Sequence, residues 1–316
     1  MGRTVVVGAG IIGLACAWEL TKRGEEVLVL DRGEPGAACS AGNAGWIVPS
    51  ISTPLPAPGL VGDSVRWMLK RDSPLYIKPR LDPRFAGWMT AFWRNCRTDT
   101  YNRGVEALAA LNQRTMPLFD QWKVDGVEFE MHHSGLLFLG LSRETVEHAA
   151  GEVERLERFG YRRPSILDGN AVRDLEPGLT EHVAGGFLIE DERHVRPESL
   201  SAGLVQRLTD SGGEIRSGVE VTGANRRNGH VHAVSTSNGS IAADRVLIAA
   251  GAWSGRVAGR FGFELPIEAG KGYSVTIEHP RRTVRRPLDL IEARLAVTPF
   301  RDGLRLAGTM ELSGLN

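Results

Sequence analysis

The chain has 316 residues, 42% of them hydrophobic, which is length and apolar content for about two domains with their own cores. Lys plus Arg and Asp plus Glu both number 38, so the formal net charge is zero and no one-signed field argues for nucleic acid as a partner. Cys16, Cys39 and Cys96 form an odd set without metal-ligand spacing, which predicts a reduced, cytoplasmic protein with no metal.

Arg3, the apolar run after it and Ala15-Cys16-Ala17 superficially match a secretory leader. Gly8, Gly10 and Gly13 weaken an apolar helix there, and cleavage would leave the next strand without its partner. No other stretch approaches 18 apolar residues, so no spanning helix is predicted. Thr4-Val5-Val6-Val7 is a β-branched run suited to a buried parallel strand. A helix follows from Ile11 to Arg23, with Ile12, Ala15, Cys16 and Leu20 available for its packed face, and Gly24 ends it. Glu26–Leu30 is the second strand, with Asp31 at its C-terminal end. Gly33 to Gly62 reads as loop, with Pro49, Pro54, Pro56 and Pro58.

Helical patterns follow over Leu60–Lys70, Arg84–Arg94 and, as one long element, Tyr101–Val124. Val127–Met131 and Leu136–Leu139 are predicted to pair antiparallel. Thr145–Phe159 is the next helix, and Asp168 caps a short one ending before Pro177. Gly186–Ile189 is strand-like, and Pro197 opens a helix running to Ser211. Short strands with Asn228-Gly229 and Asn238-Gly239 turns lead to Val246–Ala249. Tyr273–Ile277, Leu295–Thr298 and Leu304–Ala307 predict more sheet.

Gly8-Ala9-Gly10-Ile11-Ile12-Gly13 is G-x-G-x-x-G, a weak pattern by itself. Here it follows a predicted strand and opens a predicted helix, and Asp31 closes the next strand 18 positions after Gly13, which is the dinucleotide-binding context. Gly8 permits the tight turn, Gly10 lets backbone approach a pyrophosphate, and Gly13 lets helix and strand pack closely. Asp31 can accept from a ribose diol. The fingerprint does not choose between FAD and NAD. There is no second G-x-G-x-x-G, and Tyr76, Tyr101, Tyr161 and Tyr273 all lack a Lys four positions on, which counts against nicotinamide chemistry. His132, His133 and His194 lack partner ligands at a motif spacing and read as surface or loop residues.

The opening Val5–Gly13 with Val29-Leu30-Asp31-Arg32 resembles that of the D-amino-acid oxidase superfamily. Ser40-Ala41-Gly42-Asn43-Ala44-Gly45, followed by Pro54–Pro58, resembles its D-amino-acid dehydrogenase and glycine oxidase branch. Ala249-Ala250-Gly251-Ala252-Trp253-Ser254 is similar to the family's A-x-G-x-W-S segment, and Lys271-Gly272-Tyr273-Ser274 to its K-G-Y segment. The resemblance implies a Rossmann-type FAD domain, residues 1–60 and 195–262, interleaved with an antiparallel-sheet substrate domain, residues 61–194 and 263–316. Gly8 to Gly13, Asp31, Arg32, Ser40, Asn43, Ala44, Gly45, Val221, Ala250, Gly251 and Trp253 are then expected at FAD, with Trp253 also readable as packing. Tyr273 is the polar group expected at the substrate.

The reaction implied is hydride transfer from a D-amino acid to flavin, then hydrolysis of the imine to a 2-oxo acid and ammonia, with oxygen or a membrane quinone as acceptor. Glycine, sarcosine, a cyclic imino acid, or a non-catalytic flavin-binding subunit remain alternatives, as does peripheral membrane contact. The family's G-x-R-P segment, whose Arg grips the substrate carboxylate, and its last glycine-rich stretch are not found. The expectation is therefore a fragment, or a partner chain that supplies them, with weak FAD binding and little turnover from these residues alone.

Overall fold

The computed structural model describes residues 2–60 and 75–315. The fold is mixed α/β. Arg3–Val7 (β1), Ile11–Lys22 (α1) and Glu26–Leu30 (β2) form the expected unit, with β1 and β2 parallel and Val5 opposite Leu28. Glu214–Arg216 adds to β2 and Arg245–Ile248 to β1, all parallel. Both faces of this sheet are covered. Val6, Val27 and Val29 pack with Leu14, Ala17 and Trp18 of α1 and with Leu200, Leu204 and Leu208 of the helix Pro197–Asp210. Val5, Val7, Leu28 and Leu30 pack on the other side with Val219, Val221, Val234 and Phe261. Burial on both faces is why β1 and β2 read as unbroken apolar runs.

The packed face of α1 overlaps the expected one in part, with Ala15 and Leu20 packed against the core of the parallel sheet. Gly13, Leu14, Ala17 and Trp18 are buried, while Ile12 is 65% exposed. The contact of Gly13 with Gly8 sets the rotation of the helix, and that turns Ile12 outward.

A three-stranded antiparallel sheet, Val221–Arg227, His230–Thr236 and Gly239–Ala242, lies over the second face. Its first turn has φ of 53° at Asn228 and 79° at Gly229, the double positive pair of a two-residue hairpin loop. Among the described residues, the largest sheet has eight strands. Its order is Lys271–Glu278, Gly303–Leu312, Leu295–Pro299, Leu288–Leu290, Leu136–Gly140, Gly185–Ile189 and Ile166–Asp168, with Leu75–Ile77 also paired to Gly303–Leu312. Alternation divides its residues. Leu136 and Phe138 pack under the helix Arg143–Glu154, whereas Leu137 and Leu139 pack with Val172 of the helix Gly169–Leu175. Asp168 caps that last helix, its Oδ1 accepting from the amides of Asn170 and Ala171, both at 2.9 Å.

Several predicted elements change. The long helix over Tyr101–Val124 is two helices, Thr98–Asn112 and Thr115–Val124. Pro117 explains the break: it has no N–H for the carbonyl of Gln113, and its ring clashes there. Val127–Met131 does not pair with Leu136–Leu139. Met131–His132 joins Arg193–Val195, which also pairs with Trp46–Ile47, and Leu136–Gly140 lies between Gly185–Ile189 and Leu288–Leu290. The helix predicted to reach Phe159 ends at Glu154, with a 3-10 turn at Glu157–Phe159. The helix predicted over Leu60–Lys70 lies, beyond Leu60, outside the described residues. Trp122, Val127 and Phe129, from the stretch between the two sheets' strands, pack into the core of the parallel sheet. Among the described residues, no helix is long and apolar enough to cross a membrane.

Candidate cofactor site

The turn after β1 is built by close contact. Gly8 has φ +110°, and a Cβ there would lie 2.5 Å from the carbonyl oxygen of Ala249. A Cβ on Gly13 would lie 1.9 Å from the oxygen of Gly8. Gly10 differs: among the described residues, its Cβ would approach only Ser40 Oγ within 4 Å beyond its chain neighbours, at 3.1 Å. It is the N-cap of α1 and makes no side-chain cap bond. The positive end of α1 therefore faces the cleft, a ready anion site.

Asp31 ties the turn to β2. Its Oδ2 accepts from the amide of Ala9 at 2.7 Å and its Oδ1 from that of Gly33 at 2.9 Å. Each oxygen keeps a lone pair for a further donor. The amide of Ile11 donates to Ser40 Oγ at 2.8 Å, so the loop after β2 also touches the helix start.

A cleft of about 390 Å³ runs along the C-terminal ends of the parallel strands, where open α/β sheets bind ligands. Gly8, Gly10, Ile11 and Ile12 form one wall, and Asp31, Arg32 and Ser40 the next. Val221, Ala250, Gly251 and Trp253 form the far side. Arg32 lies over the Trp253 ring, 4.6 Å from its centroid, and so bridges two walls. Arg256 and Arg260 also line the cleft and were not singled out from sequence. Their i, i+4 spacing on the helix Ser254–Arg260, directly after the A-x-G-x-W-S segment, was the available signal. Arg260 donates to the carbonyl of Val221 and pairs with Glu220 at 2.9 Å.

Other expected residues lie off the cleft wall. Ala9 is fully buried beneath the turn, and Gly13 acts in packing. Asn43 Nδ2 donates to the carbonyl of Ser40 at 2.9 Å, and its Oδ1 accepts from the amide of Gly45 at 2.9 Å. Ala44 is half-buried beside it. Gly45 has φ +73°, and a Cβ there would lie 2.0 Å from the oxygen of Val195. Tyr273 is half-exposed on the edge strand Lys271–Glu278, its hydroxyl donating to Glu311. Adjacent Ser274 faces the other way, 3.3 Å from where a Cβ on Gly42 would be.

His194, expected at the surface, is 1% exposed. It stacks on His132 with centroids 4.6 Å apart, and its Nε2 is 2.9 Å from the carbonyl of Pro299. Burial, aided by His132, lowers its pKa to about 4, so the ring is neutral and Nε2 donates. Glu198, in the first turn of the helix Pro197–Asp210, sits beneath the loop Ser40–Gly45. Burial opposes its ionisation, but the amide of Gly42 and the Arg305 guanidinium outweigh it and hold the carboxyl below its usual range.

An open cradle at Gly10, a helix N-terminus facing the cleft and a carboxylate with spare lone pairs fit the adenosine diphosphate half of a dinucleotide. Residues 3–316 match the family model of the FAD dependent oxidoreductases, DAO, and the chain belongs to that family. The family is FAD dependent, and the cofactor is FAD. The chain is 32% identical over 323 residues to a D-amino acid dehydrogenase of Cereibacter sphaeroides (strain ATCC 17029 / ATH 2.4.9), covering 99% of this chain and 73% of that protein. Its fold is similar to that of glycine oxidase from Bacillus cereus ATCC 14579 (TM-score 0.70, 19% identity, 100% of this chain and 73% of that one). It is also similar to FAD-bound L-alpha-glycerophosphate oxidase from Mycoplasma pneumoniae (TM-score 0.71, 16% identity, 100% and 73%).

Proposed function

We propose that this FAD-dependent oxidoreductase oxidises the CH–NH bond of a D-amino acid to an imine, which water hydrolyses to a 2-oxo acid and ammonia. Bound FAD supplies the hydride acceptor. The backbone from Gly10 to Ile12 would hold the diphosphate, Asp31 the ribose diol, and the Val221 strand the adenine. Arg32 over Trp253 would narrow the mouth between them. The loop Ser40–Gly45 reaches from the start of α1 to Ser274 and would border the redox half. Residues 1–60 and 195–262 would form the cofactor domain, and residues 61–194 and 263–316 the substrate domain. Tyr273 is proposed as the polar group on the substrate side. A substrate that arrives as a neutral amine needs no dedicated base, so the protein's work is orientation and exclusion of water. Oxygen or a quinone would take the electrons, the latter with peripheral contact at the inner face of a membrane.

The observation that carries this reading is the glycine turn with Asp31 opening onto one cleft, in a chain 32% identical to a D-amino acid dehydrogenase across 99% of its length. The test is dye-linked oxidation by the full-length product of the reading frame, loaded with FAD. D-alanine and D-proline are compared with their L forms, glycine and sarcosine. Turnover of D substrates well above L supports the proposal. Turnover confined to glycine or sarcosine replaces the substrate, and bound FAD without any amine oxidation overturns the activity.

A further inference from the structure

Arg305 lies where the eight-stranded sheet meets the loop Ser40–Gly45, with only 5% of its side chain exposed. Three parts of the chain use its donors. Nε donates to Thr276 Oγ1 on the neighbouring strand at 2.9 Å. Nη1 donates to the carbonyl of Asn43 at 2.9 Å, and Nη2 to Glu198 Oε1 at 2.8 Å. That same Glu198 oxygen accepts from the amide of Gly42 at 3.0 Å. One ion pair therefore grips the N–H of one loop residue and the C=O of the next.

The bonds continue toward the cleft. Asn43 Nδ2 donates to the Ser40 carbonyl, and Ser40 Oγ accepts from Ile11 at the start of α1. The loop needs such restraint, because Gly42 and Gly45 both have positive φ and glycine does not enforce it. The pair is buried on its Arg305 side only, Glu198 being 38% exposed; such a pair is a weak source of net stability, and fixing one arrangement is its better-supported use.

We propose that Arg305 is a positioning residue for the flavin cofactor. With Glu198 it fixes the Gly42–Asn43 backbone, and through Asn43 it places Ser40, a residue of the cleft wall, against the first turn of α1 where the diphosphate is received. Arg305 is not among the cleft-lining residues, so its effect on FAD would be indirect. Lysine cannot replace it, since one ammonium does not reproduce a rigid fork with three separate partners.

This inference rests on FAD occupying the cleft, and the experiment separates the two. FAD dissociation constants are measured by flavin fluorescence for wild type, Arg305→Lys, Asn43→Ala and the double variant. Visible spectra are taken of the bound flavin, and circular dichroism of each apoprotein. The expected result is at least tenfold weaker FAD for Arg305→Lys and a shifted flavin spectrum. The double variant should be no more than about twofold worse than Arg305→Lys alone, because both substitutions break one chain of bonds. Wild-type affinity in Arg305→Lys, or effects that multiply in the double variant, would overturn the proposal. Failure of wild type to bind FAD would instead remove the cofactor assignment on which it stands. If Arg305→Lys does not fold, Glu198→Gln takes its place in the same cycle. It retains an oxygen for Gly42 while loosening Arg305, and the same two outcomes decide.

Discussion

Two glycine-rich loops meet at the start of α1, and they are held in different ways. Gly8–Gly13 is fixed by its own β-α-β unit and the strand beside it: Gly13 against Gly8, Ala9 to Asp31, Gly8 against Ala249. Ser40–Gly45 also carries internal bonds, but its anchors come from far along the chain, Glu198 at Gly42, Arg305 at Asn43 and Val195 at Gly45. The first conformation follows from local spacing. The second exists only once both large sheets are in place.

Breaking the first loop should have the largest effect. Gly10→Val fills the cradle that faces the cleft while leaving the Gly8–Gly13 contact intact. FAD affinity should fall more than a hundredfold with an unchanged circular dichroism spectrum. Flavin retained at wild-type stoichiometry would remove the diphosphate from this turn. Asp31→Ala should rank next. Hydrogen bonds to a charged group contribute about 1.5–3 kcal/mol, so FAD should bind roughly ten- to a hundredfold more weakly, as titration of the apoprotein would measure. A change below twofold would mean that the carboxylate only ties Ala9 to Gly33.

The distantly anchored loop runs on into the turn Pro49–Ile51, where the amide of Ser50 donates to Glu192 Oε1 at 3.0 Å. Glu192 is 3% exposed, and its Oε2 has no hydrogen-bond partner among the described residues. Burial is the main cause raising its pKa from 4.5 to about 7. The folded state therefore holds a proton that the unfolded state releases. That stabilisation is complete below pH 4.5 and is lost as pH rises through about 7. Glu192→Gln should remove this component, worth at most about 3 kcal/mol, and flatten the pH dependence of Tm in that window. An unchanged slope in urea or thermal melts from pH 4.5 to 7 would place the titration elsewhere.

The smallest expected effect is at the cleft mouth. Trp253→Ala removes the contact with Arg32, and cation–π pairs at exposed sites contribute about 0.5–1 kcal/mol. FAD should leave roughly two- to fivefold faster in stopped-flow release. An unchanged rate would make Trp253 a packing residue, the other role its sequence context allows.

The β1-α1-β2 unit was legible because its partners are close in sequence and its periodicity is strong, and the same holds for the Asn228-Gly229 hairpin. The cleft itself was largely legible too. Gly8, Gly10, Asp31, Ser40, Val221 and Gly251 are all named by motif or resemblance, and all line one space. Arg256 and Arg260 were missed because charged residues one helical turn apart usually mean only a solvated face.

The sequence by itself determined the parallel unit, the glycine turn and the acid at the next strand's end, since steric limits on backbone and a local hydrogen bond suffice for them. Only the tertiary structure decided that Met131–His132 pairs with Arg193–Val195 and that His194 is buried. It also decided that Ser274, and not Tyr273, faces the loop Ser40–Gly45 and that Arg305 reaches the carbonyl of Asn43 from 262 positions away. Strand partners and side-chain contacts at such separations depend on how whole sheets pack, and no local pattern of residues encodes that.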